Sequence, residues 1–201
     1  MTKLPYSFYQ SEDVNVLARQ LLGKYLFTDI DGQLTGGMIV ETEAYKGIED
    51  KASHAYGGRF TSRTQIMYEE GGLSYVYLCY GIHHLFNVVT APKGVPHAVL
   101  IRGLEPTAGL DIMLQRRNTD RLKPNLTAGP GALAKALGID KGLNAKDLLG
   151  DEIWIADAGS VILDEQVISS PRVGVAYADD HALLPWRYYI MGSKFVSKPN
   201  K

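Results

Sequence analysis

The sequence predicts an α+β fold in one domain, built on a mostly antiparallel sheet. Its 201 residues favour a single domain, and a hydrophobic content of 45% supplies enough apolar surface for a core. The predicted strands occur in groups and do not alternate strictly with helices, which favours antiparallel over parallel pairing. We therefore treat residues 1–201 as one domain and expect residues 197–201 to form a frayed tail.

The first predicted elements are a helix and a pair of strands. Residues 12–22 are predicted to be helical, with Ser11 as the N-terminal cap. Apolar side chains recur there at helical spacing: Val14, Leu17, Ala18, Leu21 and Leu22. Residues 25–30 and 38–42 are predicted strands joined across Asp31-Gly32, a dipeptide typical of tight hairpins.

A long polar segment, residues 45–70, separates these strands from the rest of the chain. It is predicted to be a loop with at most short helical turns, and loops of this length in compact domains are usually functional or disordered. Strands are then predicted at 74–80 and 85–90, around a turn near Gly81. The later predicted elements are a strand at 97–103, helices at 110–117 and 132–137, and strands at 152–156, 173–176 and 187–191.

The composition argues against several classes of protein. A net charge of −1 is unlike a strongly basic nucleic-acid binder, although local patches matter more than the sum. Cys79 is the single cysteine, so no disulfide framework or thiolate metal site is predicted. The histidines other than His54 show no metal-binding spacing. We therefore predict neither a metal nor a cofactor.

No targeting or membrane-spanning segment is expected from the sequence. Its first residues lack the apolar core of a signal peptide. No apolar run approaches the roughly 20 residues needed to span a bilayer. A reducing cytoplasmic location and no membrane partner are therefore expected.

Two acidic residues interrupt an apolar strand. If residues 39–45 are extended, Ile39, Glu41, Glu43 and Tyr45 share one face. A partly buried Glu43 beside Tyr45 and the following loop can take a proton from water. The alternative is that both acids are exposed or form structural ion pairs.

Aromatic residues follow this strand. Tyr75 and Tyr77 share a strand face, and Tyr80 falls at the mouth of a turn. An exposed, rigid tyrosine there would suit insertion between base pairs. Packing of a tyrosine-rich strand on a core is the alternative. The role of His54 also stays open: it is either a polar loop residue or a catalytic one.

Basic residues form separate groups. Arg59 and Arg63 lie in the long loop, and others follow the helix at 110–117. Each group is most simply a solvated face, but together they have the charge to contact phosphates. Gly129-Pro130-Gly131 can offer backbone N–H groups to a phosphate or simply start a helix, and no P-loop lysine follows it.

Taken together, the motifs resemble the alkyladenine (3-methyladenine) DNA glycosylase family. The similarity runs in order from about residue 17 to residue 196. It is carried by Gly-Met-Ile-Val-Glu-Thr-Glu-Ala-Tyr-x-Gly-x-Glu-Asp-x-Ala-x-His ending at His54, Tyr-Val-Tyr-x-x-Tyr-Gly ending at Gly81, Asn87, Leu-Ile-Arg-Gly-Leu-Glu-Pro ending at Pro106, Gly129-Pro-Gly, and Arg-Val-Gly-Val ending at Val175.

The resemblance implies a single-domain fold with a curved, mostly antiparallel sheet, flanking helices and a protruding β-hairpin. It implies a monomer that flips alkylated or deaminated purines, such as 3-methyladenine or hypoxanthine, out of double-stranded DNA. The base would be excised without strand cleavage or a metal, as the first step of base excision repair at the nucleoid.

The resemblance also assigns the chemistry of the reaction. Glu43 would be the general base that activates water for attack at the sugar C1′ atom. Arg102 and the backbone of Val173 would position that water. All three are therefore candidate catalytic residues.

Further residues are assigned to the base and the DNA. Tyr45 and His54 would stack on one face of the flipped base and Tyr77 on the other. Asn87 would lie at the pocket floor, where it would clash with the exocyclic amine of guanine. The hairpin and loop residues complete the set: Tyr80 as the DNA wedge, Ile82 as its apolar support, and Arg59 and Arg63 near the phosphates.

Two other functions stay open from the residues. A non-catalytic module that kinks DNA with Tyr80 would bind DNA and release no base. A nucleoside hydrolase would use the same carboxylate and rings, and it would be indifferent to Tyr80 and to salt.

Overall fold

The computed structural model describes residues 1–197 and shows the α+β architecture that the sequence predicts. Residues 198–201, most of the predicted frayed tail, lie outside the described residues. The strands of the described part are β1 (Thr2–Lys3), β2 (Tyr25–Ile30), β3 (Gln33–Tyr45), β4 (Ser74–Cys79), β5 (His83–Thr90), β6 (His97–Ala108), β7 (Ile153–Asp157), β8 (Val167–Ser170) and β9 (Arg187–Ile190). The helices are α1 (Val14–Gln20), α2 (Leu110–Arg117) and α3 (Pro130–Leu137).

One curved sheet contains all of these strands. Its order is β1-β7-β2-β3-β6-β5-β4, with β9 pairing with both β3 and β8. Every strand pairing among residues 1–197 is antiparallel. The central strand β3 pairs with β6 on one side and with β2 and then β9 on the other. Glu41 and Glu43 lie in the part of β3 that pairs with β9.

The β3–β6 pair contains bulges that decide where its side chains point. The register passes over Val40 in β3 and over Arg102 in β6, and a bulge bends a strand and shifts its alternation. Ile39 and Ala44 consequently lie in the same core cluster although they are five residues apart. The predicted shared face is therefore wrong for Ile39, because the bulge at Val40 turns Glu41 and Glu43 to the opposite face.

Turn and cap chemistry confirms most of the local predictions and corrects one. The β2–β3 hairpin turns at Asp31 and Gly32, both with positive φ, as a two-residue hairpin loop requires. Helix α1 is shorter than predicted, because Asp13, not Ser11, accepts the N–H groups of Asn15 and Val16. Ser11 instead accepts the N–H of Asp13.

Other boundaries differ for tertiary reasons. Strand β3 begins before the predicted residue 38, running through Gly37, where an added Cβ would come within 2.2 Å of the Glu105 carbonyl oxygen. The glycine therefore marks a close strand approach and not a strand end. Residues 173–176 are not a strand, while the short strands β1 and β8 were not predicted. Gly129 and Pro130 start α3, and the Gly129 N–H donates to the Arg102 carbonyl.

The helices cover one face of the sheet, and the long loop covers the other. The three helices pack on one face around the main core, which includes Leu17, Met113, Leu133, Phe86 and Ile101. The other face carries a smaller cluster with Tyr75, Met67 and Ala98, covered by residues 45–70. That segment is a loop with short 3-10 turns at Tyr56–Gly58 and Gln65–Tyr68, as predicted. No helix within residues 1–197 has the length and apolar character needed to cross a membrane.

Candidate active site

The carboxylate of Glu43 lies on the face of the sheet opposite the helices and is completely covered by protein. Its Oε1 atom accepts the Val173 N–H at 2.8 Å. Its Oε2 atom accepts the Tyr45 hydroxyl at 2.8 Å and lies 3.4 Å from Arg102 Nη1. Burial, followed by the Glu43 carboxylate, raises the pKa of Tyr45 well above its usual value, so its hydroxyl remains a donor. These donors compensate the cost of burying an anionic side chain.

Glu41 belongs to a structural network behind Glu43. Its Oε1 accepts Arg187 Nε at 2.7 Å and Arg102 Nε at 3.0 Å, and its Oε2 accepts the Ser197 N–H at 2.6 Å. Burial opposes ionisation, but Arg102, the Ser197 N–H and Arg187 lower the pKa of Glu41 overall. The structural alternative is confirmed for Glu41, whose role is to hold Arg102 against Glu43.

A second buried ion pair, between Arg172 and Asp50, fixes the position of the Val173 N–H that donates to Glu43. Arg172 Nη2 donates to Asp50 Oδ1 at 2.8 Å, and neither side chain is exposed. The guanidinium lies between the rings of Tyr45 and Trp186, at 4.9 and 5.2 Å from their centroids. Because Arg172 directly precedes Val173, this anchor places the Val173 N–H on Glu43.

An aromatic pocket lies in front of the carboxylate. The cavity has a volume of about 40 Å³ and is lined by Tyr45, Ala52, His54, Met67, Tyr75, Tyr77, Asn87, Ala98 and Tyr177. The structure thus brings together all four predicted base-binding residues. Asn87 is buried and its Nδ2 donates to the Tyr75 carbonyl at 3.1 Å. The Tyr45 hydroxyl connects the pocket to Glu43, which is not itself among the lining residues.

The rings of the pocket are in contact with one another. His54 and Tyr77 meet edge to face, with centroids 4.7 Å apart and an interplanar angle of 77°. His54 Nδ1 lies 2.7 Å from the Tyr75 hydroxyl, and its Nε2 lies 3.1 Å from Arg63 Nη2. The Arg63 guanidinium also lies 4.7 Å from the centroid of Tyr77. Arg63 therefore contacts the pocket rings in the free protein, while Arg59 is exposed on the same loop.

The β4–β5 hairpin carries exposed apolar side chains at its tip. Tyr80 and Gly81 both have positive φ, and the Ile82 N–H donates to the Cys79 carbonyl at 3.0 Å. This tight turn leaves Tyr80 88% exposed and Ile82 72% exposed. The predicted protruding tyrosine is confirmed, and core packing is excluded for it.

Some site residues were not predicted. Asp50 and Arg172 lie within the quoted motifs. Arg172 was marked as a base in a segment that is otherwise apolar or small, whereas Asp50 stands between Glu49 and Lys51 and had no distinguishing signal. Tyr177 lines the pocket and donates to the Ala52 carbonyl at 3.1 Å; nothing in its sequence context marks it. Among residues 1–197, no three His, Cys, Asp or Glu side chains are grouped as metal ligands would be.

His54 is expected to stay neutral at physiological pH. Burial, then the charges of Arg63 and Arg59, lower the pKa of His54 from 6.5 to about 4. An unfolded chain takes up this proton near pH 6.5, and the folded chain only near pH 4. The contribution of His54 to the free energy of unfolding is therefore fully present above pH 6.5 and is lost as the pH falls towards 4. An NMR titration of the imidazole should have its midpoint near 4; a midpoint at the ordinary value would contradict the buried, cation-flanked geometry.

The fold presents a pocket of flat rings backed by a hydrogen-bonded carboxylate. Residues 7–194 match the model of the methylpurine-DNA glycosylase family. A protein of Desulfitobacterium hafniense (strain Y51) is 44% identical over 205 residues, covering 98% of this chain and 99% of its own length. One of Chlamydia felis (strain Fe/C-56) is 45% identical over 188 residues, covering 93% and 95%. One of Bacillus cereus (strain G9842) is 46% identical over 203 residues, covering 96% and 98%.

Each of these relatives bears the name "Putative 3-methyladenine DNA glycosylase". The chain belongs to the methylpurine-DNA glycosylase family, a group of hydrolases that act on N-glycosyl bonds.

Proposed function

We propose that this protein flips alkylated purines, 3-methyladenine among them, out of double-stranded DNA and hydrolyses their N-glycosidic bond with a water activated by Glu43. The observation that carries the proposal is the buried Glu43 carboxylate, held by the Val173 N–H, Arg102 and the Tyr45 hydroxyl behind a pocket of flat rings. The exposed Tyr80 hairpin supplies the means of reaching a base inside a duplex.

The first step is extrusion of the nucleotide. A base inside the stack has an inaccessible glycosidic bond, and an enzyme that works on it has to pay for unstacking, least for a damaged pair. Tyr80, with Ile82 beside it, enters the minor groove and fills the space that the base leaves. Arg59 and Arg63 contact the phosphates of the flipped nucleotide.

The second step is recognition of the base. The purine enters between Tyr77 on one side and Tyr45 with His54 on the other. Methylation at N3 or N7 gives the purine a positive charge, and an aromatic face favours a cation by about 0.5–2 kcal/mol. Asn87 at the pocket floor disfavours guanine, whose exocyclic amine would clash with it.

The third step is hydrolysis. Glu43 takes a proton from water while the water oxygen bonds to C1′ and the C1′–N bond breaks. The bonding electrons go to the purine, so a cationic base leaves as a neutral molecule without help. Arg102 and the Val173 backbone hold the carboxylate and the water in place. A neutral deaminated purine such as hypoxanthine is also a substrate, and the extra demand of its departure predicts slower release.

The direct test is release of free base from duplexes that carry 3-methyladenine, 7-methylguanine, hypoxanthine or 1,N6-ethenoadenine. Free base and an uncut abasic strand are expected. Binding without base release would favour the DNA-kinking module. Equal release from free nucleosides, unaffected by salt, would favour a nucleoside hydrolase, because binding to duplex DNA weakens as salt rises.

The protein is proposed to act as a monomer, in the cytoplasm at the nucleoid.

Tyr80→Ala is expected to weaken binding to lesion-containing duplex by about 5- to 150-fold, since a stacked aromatic side chain contributes about 1–3 kcal/mol. Folding should be unchanged because Tyr80 is 88% exposed. The measurement is fluorescence anisotropy with an abasic-analogue duplex. Tyr56→Ala, which removes a partly exposed tyrosine outside the hairpin, is the control. Equal affinity of wild type and Tyr80→Ala would refute the wedge.

A further inference from the structure

Arg63 contacts both walls of the aromatic pocket. Its guanidinium carbon lies 4.7 Å from the centroid of Tyr77, and its Nη2 atom lies 3.1 Å from His54 Nε2. The Arg63 side chain is exposed to solvent. It can therefore leave Tyr77 and His54 without any core residue being unpacked. A single exposed side chain thus contacts the two rings between which the base is proposed to enter.

The pocket is closed in this arrangement. A flat base sandwiched between two parallel rings needs about 7 Å between them, twice the aromatic contact distance of about 3.5 Å. The centroids of His54 and Tyr77 are only 4.7 Å apart, and the rings meet edge to face. Entry of a base therefore separates the rings, and Arg63 cannot keep both of its contacts.

The contact with Arg63 also fixes the state of His54. A guanidinium has only donors, so His54 Nε2 has to accept from it through a lone pair. The proton of the neutral ring then resides on Nδ1, which donates to the Tyr75 hydroxyl at 2.7 Å. Loss of Arg63 removes the interaction that selects this tautomer.

We propose that Arg63 is a latch that keeps the aromatic pocket closed in the free protein and raises its selectivity for positively charged purines. This inference rests on the function proposed above. Opening the latch gives up a cation–π contact on Tyr77. A cationic purine stacked on Tyr77 restores that contact, whereas a neutral purine does not. Arg63 therefore disfavours neutral bases more than charged ones, and once released it is free to reach a phosphate.

The test compares single-turnover excision of 3-methyladenine and hypoxanthine, with enzyme in excess over DNA but below saturation, in wild type, Arg63→Gln and Arg63→Lys; neither base carries the exocyclic amine that Asn87 would exclude. In Arg63→Gln the ratio of the two rates should fall about 2- to 5-fold, as expected for loss of an exposed cation–π contact. Arg63→Lys keeps a cation and should keep most of the ratio. Arg59→Gln removes a charge from the same loop and should slow both lesions equally. An unchanged ratio in Arg63→Gln would overturn the latch.

A second measurement does not depend on glycosylase activity. The nitrogen spectrum of His54 should show a proton on Nδ1 in wild type and a mixture of both tautomers in Arg63→Gln. If wild type releases neither base, the proposed function fails, and the latch is judged on this spectrum alone. An identical His54 spectrum in wild type and Arg63→Gln would contradict it.

Discussion

Glu43→Gln is expected to reduce excision of 3-methyladenine by about 10²- to 10⁴-fold, the usual contribution of a general base. The amide has the shape of the carboxylate and keeps an oxygen to accept the Val173 N–H, but it cannot take a proton from water. Binding to lesion-containing duplex should persist, because the hairpin, the rings and the basic loop are unchanged. Rate and affinity are measured on the same duplex, by single-turnover base release and by anisotropy.

Glu49→Gln is the matched control. Glu49 lies on the loop that follows the same strand, and its carboxylate pairs with Lys46 at the surface. This variant should retain wild-type excision. Normal turnover in Glu43→Gln would mean that another group activates the water, whereas equal losses in both variants would indicate a general effect of removing acidic charge.

Asp50→Asn is expected to have the largest effect on stability. It leaves Arg172 charged and unpaired in a position where neither partner is exposed, and breaking a buried ion pair from one side typically costs about 3–5 kcal/mol. For a protein of this size that corresponds to a fall in Tm of roughly 6–20 °C. Excision should fall as well, because Arg172 positions the Val173 N–H that holds Glu43.

Urea denaturation with a two-state fit measures this change in the free energy of unfolding. Asp180→Asn is the control, since Asp180 forms an exposed pair with Lys51 and should have little effect on unfolding. If Asp50→Asn unfolds at the same urea concentration as Asp180→Asn, the Asp50–Arg172 pair does not anchor the site.

The sequence predicts the local features of this fold well, because their causes are local. The turns at Asp31-Gly32 and near Gly81 are marked by residues that tolerate positive φ, namely Asp31, Gly32 and Gly81. Helix α2 begins and ends where it was predicted. The loop at 45–70 was recognisable from its polarity and glycines alone.

The distinction between Glu41 and Glu43 could not be predicted from local sequence. Both are acidic residues on alternate positions of one strand, and both are fully buried. Their roles diverge because the bulge at Arg102 directs one guanidinium to both carboxylates, and because Arg187 and Ser197 arrive from distant parts of the chain. The position of Glu43 beside Tyr45 and the long loop favoured it only weakly over Glu41, and the resemblance to a family then selected it.

The state of the pocket was equally invisible in the sequence. Arg63 was expected near phosphates, and that role stays a prediction. Its contacts with Tyr77 and His54 depend on how residues 45–70 fold back over β4. Tyr177 reaches the pocket from the far end of the chain, and no local pattern announces such a contact.

Stopped-flow fluorescence of a duplex containing 1,N6-ethenoadenine tests most directly whether a flipped base is cut by a Glu43-activated water. Wild type should show a fast phase, as the base leaves the stack and contacts the rings, and a slow phase that matches release of free base. Glu43→Gln should keep the fast phase at its full amplitude and lose the slow one. A slow phase of wild-type rate in Glu43→Gln, or the loss of both phases, would contradict the account.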